Sequence, residues 1–320
     1  GMGSYGRLGH GDTNNRGDAT GEMGDNLPVV NLGSGKTAKQ LALGGEHTCT
    51  ILQDDSLKCW GRNNYGQLGY GDFNDRGDGA NEMGDNLAAI NLGAGKTAKQ
   101  VVVGNAHTCA ILNDDTVKCW GQTGYGADGY GDTTATRRSP PSTTVDLGAG
   151  KTAKQLTAGQ FYTCALLNDD TVKCWGRNSR GQLGYGDTTQ RNSPPSETVD
   201  LGTGKTAKQI FAGNRRTCAL LNDDSLKCWG NGEWGKLGYG DTTDRGDGAN
   251  EMGDNLPVVN LGTGKTAKQV AAGGDHTCAV LNDDTVKCWG TGNLGQLGYG
   301  DTTNRGDAAG EMGDNLPAIS

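Results

Sequence analysis

The chain has 320 residues, of which 33% are apolar and 57 are glycine, and its net charge is −8. This composition argues against one large core and favours many small sheets joined by glycine-rich turns. The acidic balance argues against a nucleic-acid partner, because phosphate binding needs clustered Lys and Arg. We expect no membrane span, since no apolar run is long enough, and no signal peptide, since Gly1-Met2 precedes no basic-then-apolar segment.

A repeat organises the chain. Cys-Trp-Gly occurs five times, and its tryptophans lie 60, 55, 54 and 60 positions apart. We predict a single domain, 1–320, with units at approximately 1–60, 61–120, 121–175, 176–229 and 230–289 and a partial unit at 290–320. One segment accounts for the difference in unit length, which is typical of a surface loop.

Each unit is predicted to contain four short strands. In the best-defined example these are residues 87–92, 99–103, 107–112 and 116–120, each bounded by Gly, Asn or Asp. Asn113-Asp114-Asp115 separates the last two strands as a tight turn, because Asn and Asp side chains bond to nearby backbone. Four antiparallel strands at this period are typical of a propeller blade. The sequence therefore predicts an all-β fold, a β-propeller of about five four-stranded blades.

The repeated pattern resembles that of a known family. His-Thr-Cys-Ala-x-Leu-Asn-Asp-Asp-Thr-Val-Lys-Cys-Trp-Gly, followed by Gly-Gln-Leu-Gly-Tyr-Gly-Asp, is similar to the repeat of the regulator of chromosome condensation family. The resemblance covers essentially the whole chain and implies a propeller, most often seven-bladed. Family members include nucleotide-exchange factors, photoreceptors and secreted inhibitors, so the resemblance implies no single function. Because five Cys-hairpins accompany six outer segments, a closed five-bladed ring and an arc of a larger ring both remain open.

The cysteines fall into five pairs that are symmetric about the predicted turn. An odd-membered turn places the two cysteines of a pair directly opposite each other, within disulfide range. The pairs are Cys49/Cys59, Cys109/Cys119, Cys164/Cys174, Cys218/Cys228 and Cys278/Cys288. Free thiols and zinc ligands are the alternatives, but only three units add a histidine. Disulfides would indicate an oxidising compartment, and therefore an extracellular or cell-surface location.

Two short motifs suggest ligands but are better explained as turns. Gly-Ser-Gly-Lys-Thr at 33–37 is similar to part of a phosphate-binding loop, yet the earlier glycine is missing and a strand is predicted to follow. Arg-Gly-Asp, a tripeptide that adhesion receptors recognise, occurs at Arg16, Arg76, Arg245 and Arg305. These copies arise with the duplicated insert, which favours a solvated turn.

The insert is also rich in carboxylates, and hard oxygen ligands around glycines could hold calcium. The candidate ligands are Asp72, Asn74, Asp78 and Glu82. The spacing departs from that of a helix-flanked calcium loop, and solvated acidic loops remain the alternative.

Variation between the units points to a binding surface. Turn positions beside repeated glycines carry aromatic residues and arginines, the residue types that anchor interfaces. In adjacent units these are Phe161, Tyr162, Arg180, Arg215, Arg216 and Trp234. We predict that they form one recognition patch on a face of the propeller. Neutral drift among duplicated units is the alternative.

No catalytic constellation is evident, because only four histidines occur and no Ser-His-Asp or Cys-His set is apparent. We therefore expect a non-enzymatic binding or scaffold module without a cofactor, which recognises a protein or a glycan. The alternative is an intracellular regulator or guanine-nucleotide exchange factor, as the family resemblance implies. Counting free thiols would separate the two.

Overall fold

The computed structural model describes residues 1–134 and 136–319 and divides the chain into two compact units. Unit 1 extends from Gly1 to Leu156, and unit 2 starts at Thr157. Within the described residues the regular elements are β-strands and short 3₁₀ turns, as expected for an all-β chain. No helical segment in this part of the chain has the length and apolar character needed to cross a bilayer.

The strands form five antiparallel sheets of three strands each, with the strands in sequence order. The first two sheets are β1 (Ala38–Leu43), β2 (His47–Leu52), β3 (Leu57–Gly61) and β4 (Ala98–Val103), β5 (His107–Leu112), β6 (Val117–Gly121). The third is β7 (Ala153–Ala158), β8 (Tyr162–Leu167), β9 (Val172–Gly176). The last two are β10 (Ala207–Ala212), β11 (Arg216–Leu221), β12 (Leu226–Gly230) and β13 (Ala267–Ala272), β14 (His276–Leu281), β15 (Val286–Gly290). The 3₁₀ turns are Ser4–Gly6, Gly24–Asn26, Gly84–Asn86, Glu233–Gly235, Gly253–Asn255 and Gly313–Asn315.

The prediction of four strands per blade is wrong, because the outermost segment is not a strand. Residues 87–92 lie beside β3 and contact it through a bond from the Ile90 N–H to the Leu57 carbonyl, 2.8 Å long. The end of the segment has other partners. Lys118 Nζ donates to the Leu92 carbonyl at 2.9 Å, and Asn91 Oδ1 accepts from the Gly93 N–H. The segment is therefore joined to its surroundings by single backbone and side-chain bonds rather than by a regular ladder.

The predicted hairpin turn is confirmed, and it sets the register of the cysteines. Leu112 and Thr116 close a three-residue turn in which Asp115 adopts a positive φ of 64°. The odd number of turn residues places Cys109 directly opposite Cys119, with a Cα–Cα distance of 4.1 Å.

All five predicted cysteine pairs are joined as disulfides, each within one hairpin. The bonded pairs are Cys49–Cys59, Cys109–Cys119, Cys164–Cys174, Cys218–Cys228 and Cys278–Cys288. Their Cα–Cα distances lie between 4.0 and 4.1 Å. The two alternatives, free thiols and zinc ligands, do not describe these residues, because no cysteine of the chain is left unpaired.

Successive repeats are joined through main-chain atoms. Within unit 1, the Thr108 hydroxyl and the Trp120 indole N–H both donate to the Gln67 carbonyl, at 2.7 and 3.0 Å. The Gln40 side chain bonds the backbone of Val101 in both directions, at 3.1 and 3.2 Å. In the first, third and fourth sheets, the cysteine face packs against the first strand and the tryptophan of the next repeat. The core is therefore a series of small inter-sheet layers rather than one large centre.

Candidate functional site

Two of the predicted patch residues, Tyr162 and Arg216, are the first residue of a middle strand, and the structure buries this position in four of the five sheets. The residues at this position are His47, His107, Tyr162, Arg216 and His276. Tyr162 and Arg216 are both 0% exposed. The prediction that their side chains lie on an accessible face is therefore wrong, because each extends toward the next repeat instead of toward solvent.

Arg216 illustrates this role in unit 2. Its Nε donates to the Thr277 hydroxyl at 3.0 Å, and its terminal nitrogens donate to the carbonyls of Gly273, Gly274 and His276. None of these partners carries a charge. Burial lowers the pKa of Arg216 to about 10, so it remains protonated at neutral pH. The protein therefore holds a buried positive charge in contact with neutral groups.

The histidines at the same position in unit 1 are neutral. His47 Nε2 lies 2.8 Å from the Thr108 hydroxyl, which donates its own proton to Gln67, so the imidazole is the donor. Nδ1 of His47 is then an acceptor, and it has no hydrogen-bond partner within the described residues. Burial lowers the pKa of His47 to about 3 and that of His107 to about 4. Neither histidine is available for proton transfer near neutral pH.

The other four predicted patch residues reach the surface of unit 2. Trp234 is 45% exposed, the Arg180 side chain is 40% exposed, and Phe161 and Arg215 are half-buried. Arg180 contacts carboxylates at 3.0 Å (Asp244) and 3.3 Å (Glu233), whereas Arg215 Nε donates to the Gln160 amide oxygen at 3.3 Å.

Lys236 was not predicted from the sequence, although it connects this region. Its ammonium lies 5.2 Å from the centre of the Trp234 ring and 3.1 Å from a carboxylate oxygen of Asp275. Burial lowers its pKa, and the contact with Asp275 opposes that effect. Comparison of the repeats could have found it, because Lys236 replaces the glutamine of Gly-Gln-Leu-Gly.

Trp234 has a left-handed backbone, with φ 60° and ψ 23°. At the equivalent positions of three other repeats, the glutamine side chain accepts the backbone N–H and φ is not positive. Tyr5 is also left-handed, and its repeat has Arg7 in place of the glutamine. A non-glycine residue in this region is strained, and such strain concentrates at sites of recognition.

The insert brings the candidate calcium ligands into contact in pairs, Asp72 with Asn74 and Asp78 with Glu82, and not into one group of four. Glu82 Oε2 accepts backbone N–H groups of Gly77, Asp78 and Gly79, and the Asp72 carboxylate binds Arg76 at 2.7 Å. Within residues 1–134 and 136–319, no group of three or more His, Cys, Asp or Glu side chains is arranged to hold a metal ion. Arg76 belongs to the Arg-Gly-Asp sequence of this insert. Its side chain is held by the ion pair with Asp72, and its backbone forms a bridge to Gly61.

The lysine-containing glycine motif is a turn, as expected. The Lys36 N–H donates to the Gly33 carbonyl at 3.0 Å, and β1 follows directly. Gly33 and Gly35 have φ values of 114° and 67°, which favour glycine. The Lys36 ammonium binds Asp54 in the hairpin turn.

Comparisons with known proteins agree with the repeat pattern. Sequence models described as "Regulator of chromosome condensation (RCC1) repeat" match residues 38–67, 98–127, 153–182 and 267–296, and also 169–220 and 223–280. The chain is 31% identical to the ultraviolet-B receptor UVR8 of Arabidopsis thaliana, over 95% of this chain and 63% of that protein. It is 28% identical to the E3 ubiquitin-protein ligase HERC2 of Homo sapiens, over 81% of this chain and 5% of that protein. The chain thus spans less than two thirds of either relative.

Two solved structures share the fold. Human WBSCR16 superposes with a TM-score of 0.74 at 19% identity, over the whole of this chain and 75% of that one. Yeast RCC1 (Prp20), solved with Kap60 bound, superposes with a TM-score of 0.65 at 17% identity, over 89% of this chain and 62% of that one.

Proposed function

Because the chain belongs to the regulator of chromosome condensation repeat family, we propose that it is a β-propeller of about five blades that binds another protein without catalysing a reaction. The contact surface is the exposed face of unit 2 formed by Phe161, Arg180, Arg215 and Trp234. The observation that carries the proposal is Trp234, a large aromatic side chain held half-exposed on a strained backbone. Exposed Trp and Arg side chains are the types that dominate interface energies.

The carboxylates of the first hairpin turn and the imidazole of His47 support a binding role because each has a structural partner. The two carboxylates of the first hairpin turn bind lysines, Asp54 with Lys36 and Asp55 with Lys39. His47 is buried and neutral, and it bonds to the next repeat. Groups held in this way are unsuited to general acid–base catalysis near neutral pH. Yeast RCC1 (Prp20) was solved in complex with the protein Kap60, which is consistent with protein recognition on this fold.

The disulfides support the proposed location. Five hairpin disulfides are typical of proteins that fold in an oxidising compartment, which favours an extracellular or cell-surface location for this chain. Thiol titration of the denatured protein, purified with alkylation from its native source, tests this. Ten reactive thiols would instead support the alternative, an intracellular regulator or exchange factor.

Selection from a displayed protein-domain library tests the binding surface. Binders to the full chain are selected and then measured against Trp234→Ala, with Leu294→Ala as the matched control. Leu294 occupies the equivalent loop position in the next repeat and is 85% exposed. We expect Trp234→Ala to weaken selected binders by about tenfold or more and Leu294→Ala to have little effect. Binders that are insensitive to Trp234→Ala would refute the surface, and a glycan array that gives the only binding would refute a protein partner.

A further inference from the structure

We infer that the partner contacts unit 2 with an acidic segment that also carries an apolar side chain. This inference rests on the proposed function and names the chemistry of the partner. The site is the basic cluster, which consists of Arg180, Arg215, Arg216, Lys236 and the adjoining Trp234.

The basic cluster brings four cations together in an acidic chain whose net charge is −8, and three carboxylates contact two of them. At the position of Arg215 the other repeats have Glu46, Ala106, Phe161 and Asp275. At the position of Arg216 they have neutral histidine or tyrosine, and at the position of Lys236 they have uncharged residues or Arg7. Cations occupy all three of these variable positions in two consecutive repeats of unit 2, Arg215 and Arg216 in the first and Lys236 in the second. Repetition of the scaffold therefore does not explain the charge.

Two of the four cations contact no carboxylate among the described residues. Arg216 donates to carbonyl groups and to the Thr277 hydroxyl, and Arg215 donates to the Gln160 amide. The charge of Asp275 acts on Arg216, but its carboxylate already contacts Lys236. Arg180, in contrast, already contacts the carboxylates of Glu233 and Asp244. A carboxylate from a partner would thus find its best site at Arg215, with the field of Arg216 behind it.

Trp234 supplies the apolar part of the site. Its indole stands over the Lys236 ammonium, and almost half of its surface remains exposed. An apolar side chain of the partner can cover the ring while a neighbouring carboxylate reaches Arg215. Covering the ring also removes water from the cation–π contact, which strengthens it.

A protein segment fits this site better than a nucleic acid. Phosphate backbones require a row of exposed cations. In the basic cluster Arg216 is 0% exposed and the Lys236 side chain is 3% exposed, so only Arg180 and Arg215 can touch a ligand. Two accessible guanidinium groups suit the separate carboxylates of an acidic peptide segment. The experiment below includes a nucleic-acid ligand as the competing outcome.

Fluorescence anisotropy of the full chain tests the inference. The probe is a short labelled peptide in which glutamate alternates with phenylalanine, and the matched probe replaces glutamate with glutamine. Arg215→Glu is compared with Lys208→Glu, which makes the same charge change at an exposed lysine paired with Asp224. We expect Arg215→Glu to weaken binding of the acidic peptide by about tenfold or more, and Lys208→Glu to change it by about twofold or less. Added salt should weaken binding of the acidic peptide and have little effect on the glutamine peptide.

The uncharged variant Arg215→Gln and circular dichroism separate a binding defect from misfolding. Equal binding of the two peptides, no binding of the acidic peptide, or tighter binding of single-stranded DNA would each overturn the inference. If selected library binders depend on Trp234 but are not acidic, the acidic-segment inference fails while the proposed function stands. If no selected binder depends on Trp234, the proposed function itself fails.

Discussion

Asp128 provides a sharp test of how these repeats pack. Its side chain is fully buried, with one carboxylate oxygen bound to Arg137 and the other, Oδ1, without a hydrogen-bond partner among the described residues. The equivalent residues of other repeats are the buried leucines Leu68, Leu183, Leu237 and Leu297. Burial raises the pKa of Asp128 from 3.8 to about 7, while Arg137 opposes that rise.

The sign of the pH dependence follows from this pKa. The folded protein binds the proton of Asp128 more tightly than the unfolded chain, so its stabilising contribution is complete below pH 3.8 and is lost as the pH rises through about 7. The loss amounts to about 4 kcal/mol of unfolding free energy between about pH 4 and pH 8. Asp128→Leu removes this pH-dependent loss and buries an apolar side chain instead. Arg137 keeps its contact with Asp132. We expect a gain of about 2–4 kcal/mol at about pH 8 and a smaller gain at about pH 4.

Urea unfolding at both pH values measures this difference, with Asp128→Asn as the control that removes the charge and keeps the shape. Comparing variant with wild type at each pH cancels the contributions of the other carboxylates. If Asp128→Leu destabilises the protein more at the higher pH than at the lower, the ion pair with Arg137 outweighs desolvation and our reasoning is wrong.

Three further predictions concern contacts within and between the repeats. Replacing Cys109 and Cys119 together by alanine should lower the unfolding free energy measured in urea, because the unfolded chain gains conformational freedom. The expected loss is about 2–3 kcal/mol, since the disulfide closes a short loop. The unfolding free energy should fall as the pH drops from 6.5 to about 3, because the unfolded chain protonates His47 while the folded protein keeps it neutral. His47→Gln should make this fall smaller. The measurement is unfolding free energy against pH, and an unchanged profile would contradict the burial argument. Gln40→Ala should cost about 1–3 kcal/mol by thermal or urea unfolding, because both hydrogen bonds to Val101 are lost; Lys39→Ala, an exposed neighbour, is the control.

Local sequence determined what could be predicted about the hairpins. The Asn-Asp-Asp turn and the symmetric cysteines set the register of Cys109 opposite Cys119 by themselves. The outer segment failed as a strand for a non-local reason. The Ile90 N–H bonds β3, but the Leu92 carbonyl accepts from the Lys118 ammonium, and nothing in residues 87–92 shows that this lysine is nearby.

The site was predicted only in part, because burial at the start of a strand depends on the next repeat. Tyr162 and Arg216 have the residue types of an interface but face inward. A signal was present, since His47 and His107 occupy the same position before the recurring Thr-Cys. Lys236 differs from the predicted patch residues because it lies inside the repeated Gly-Gln-Leu-Gly motif, where it replaces the glutamine, and not at the tip of a turn.

The hydrogen bonds between successive repeats, here called the joint, explain why charged residues can replace others beside them. Thr217 and Trp229 donate to the main-chain carbonyl of Gln182, so the joint does not need the glutamine side chain. That side chain has a separate task, which is to accept the N–H of the preceding loop residue. In the following repeat Lys236 replaces this glutamine. The Thr277 hydroxyl still donates to the Lys236 carbonyl, but the Trp289 indole N–H has no hydrogen-bond partner among the described residues. The Lys236 ammonium lies 5.2 Å from the centre of the ring of Trp234, whose backbone is left-handed. Lys236 therefore adds part of the positive charge that we assign to recognition beside the exposed Trp234, while the joint keeps the hydrogen bond from Thr277.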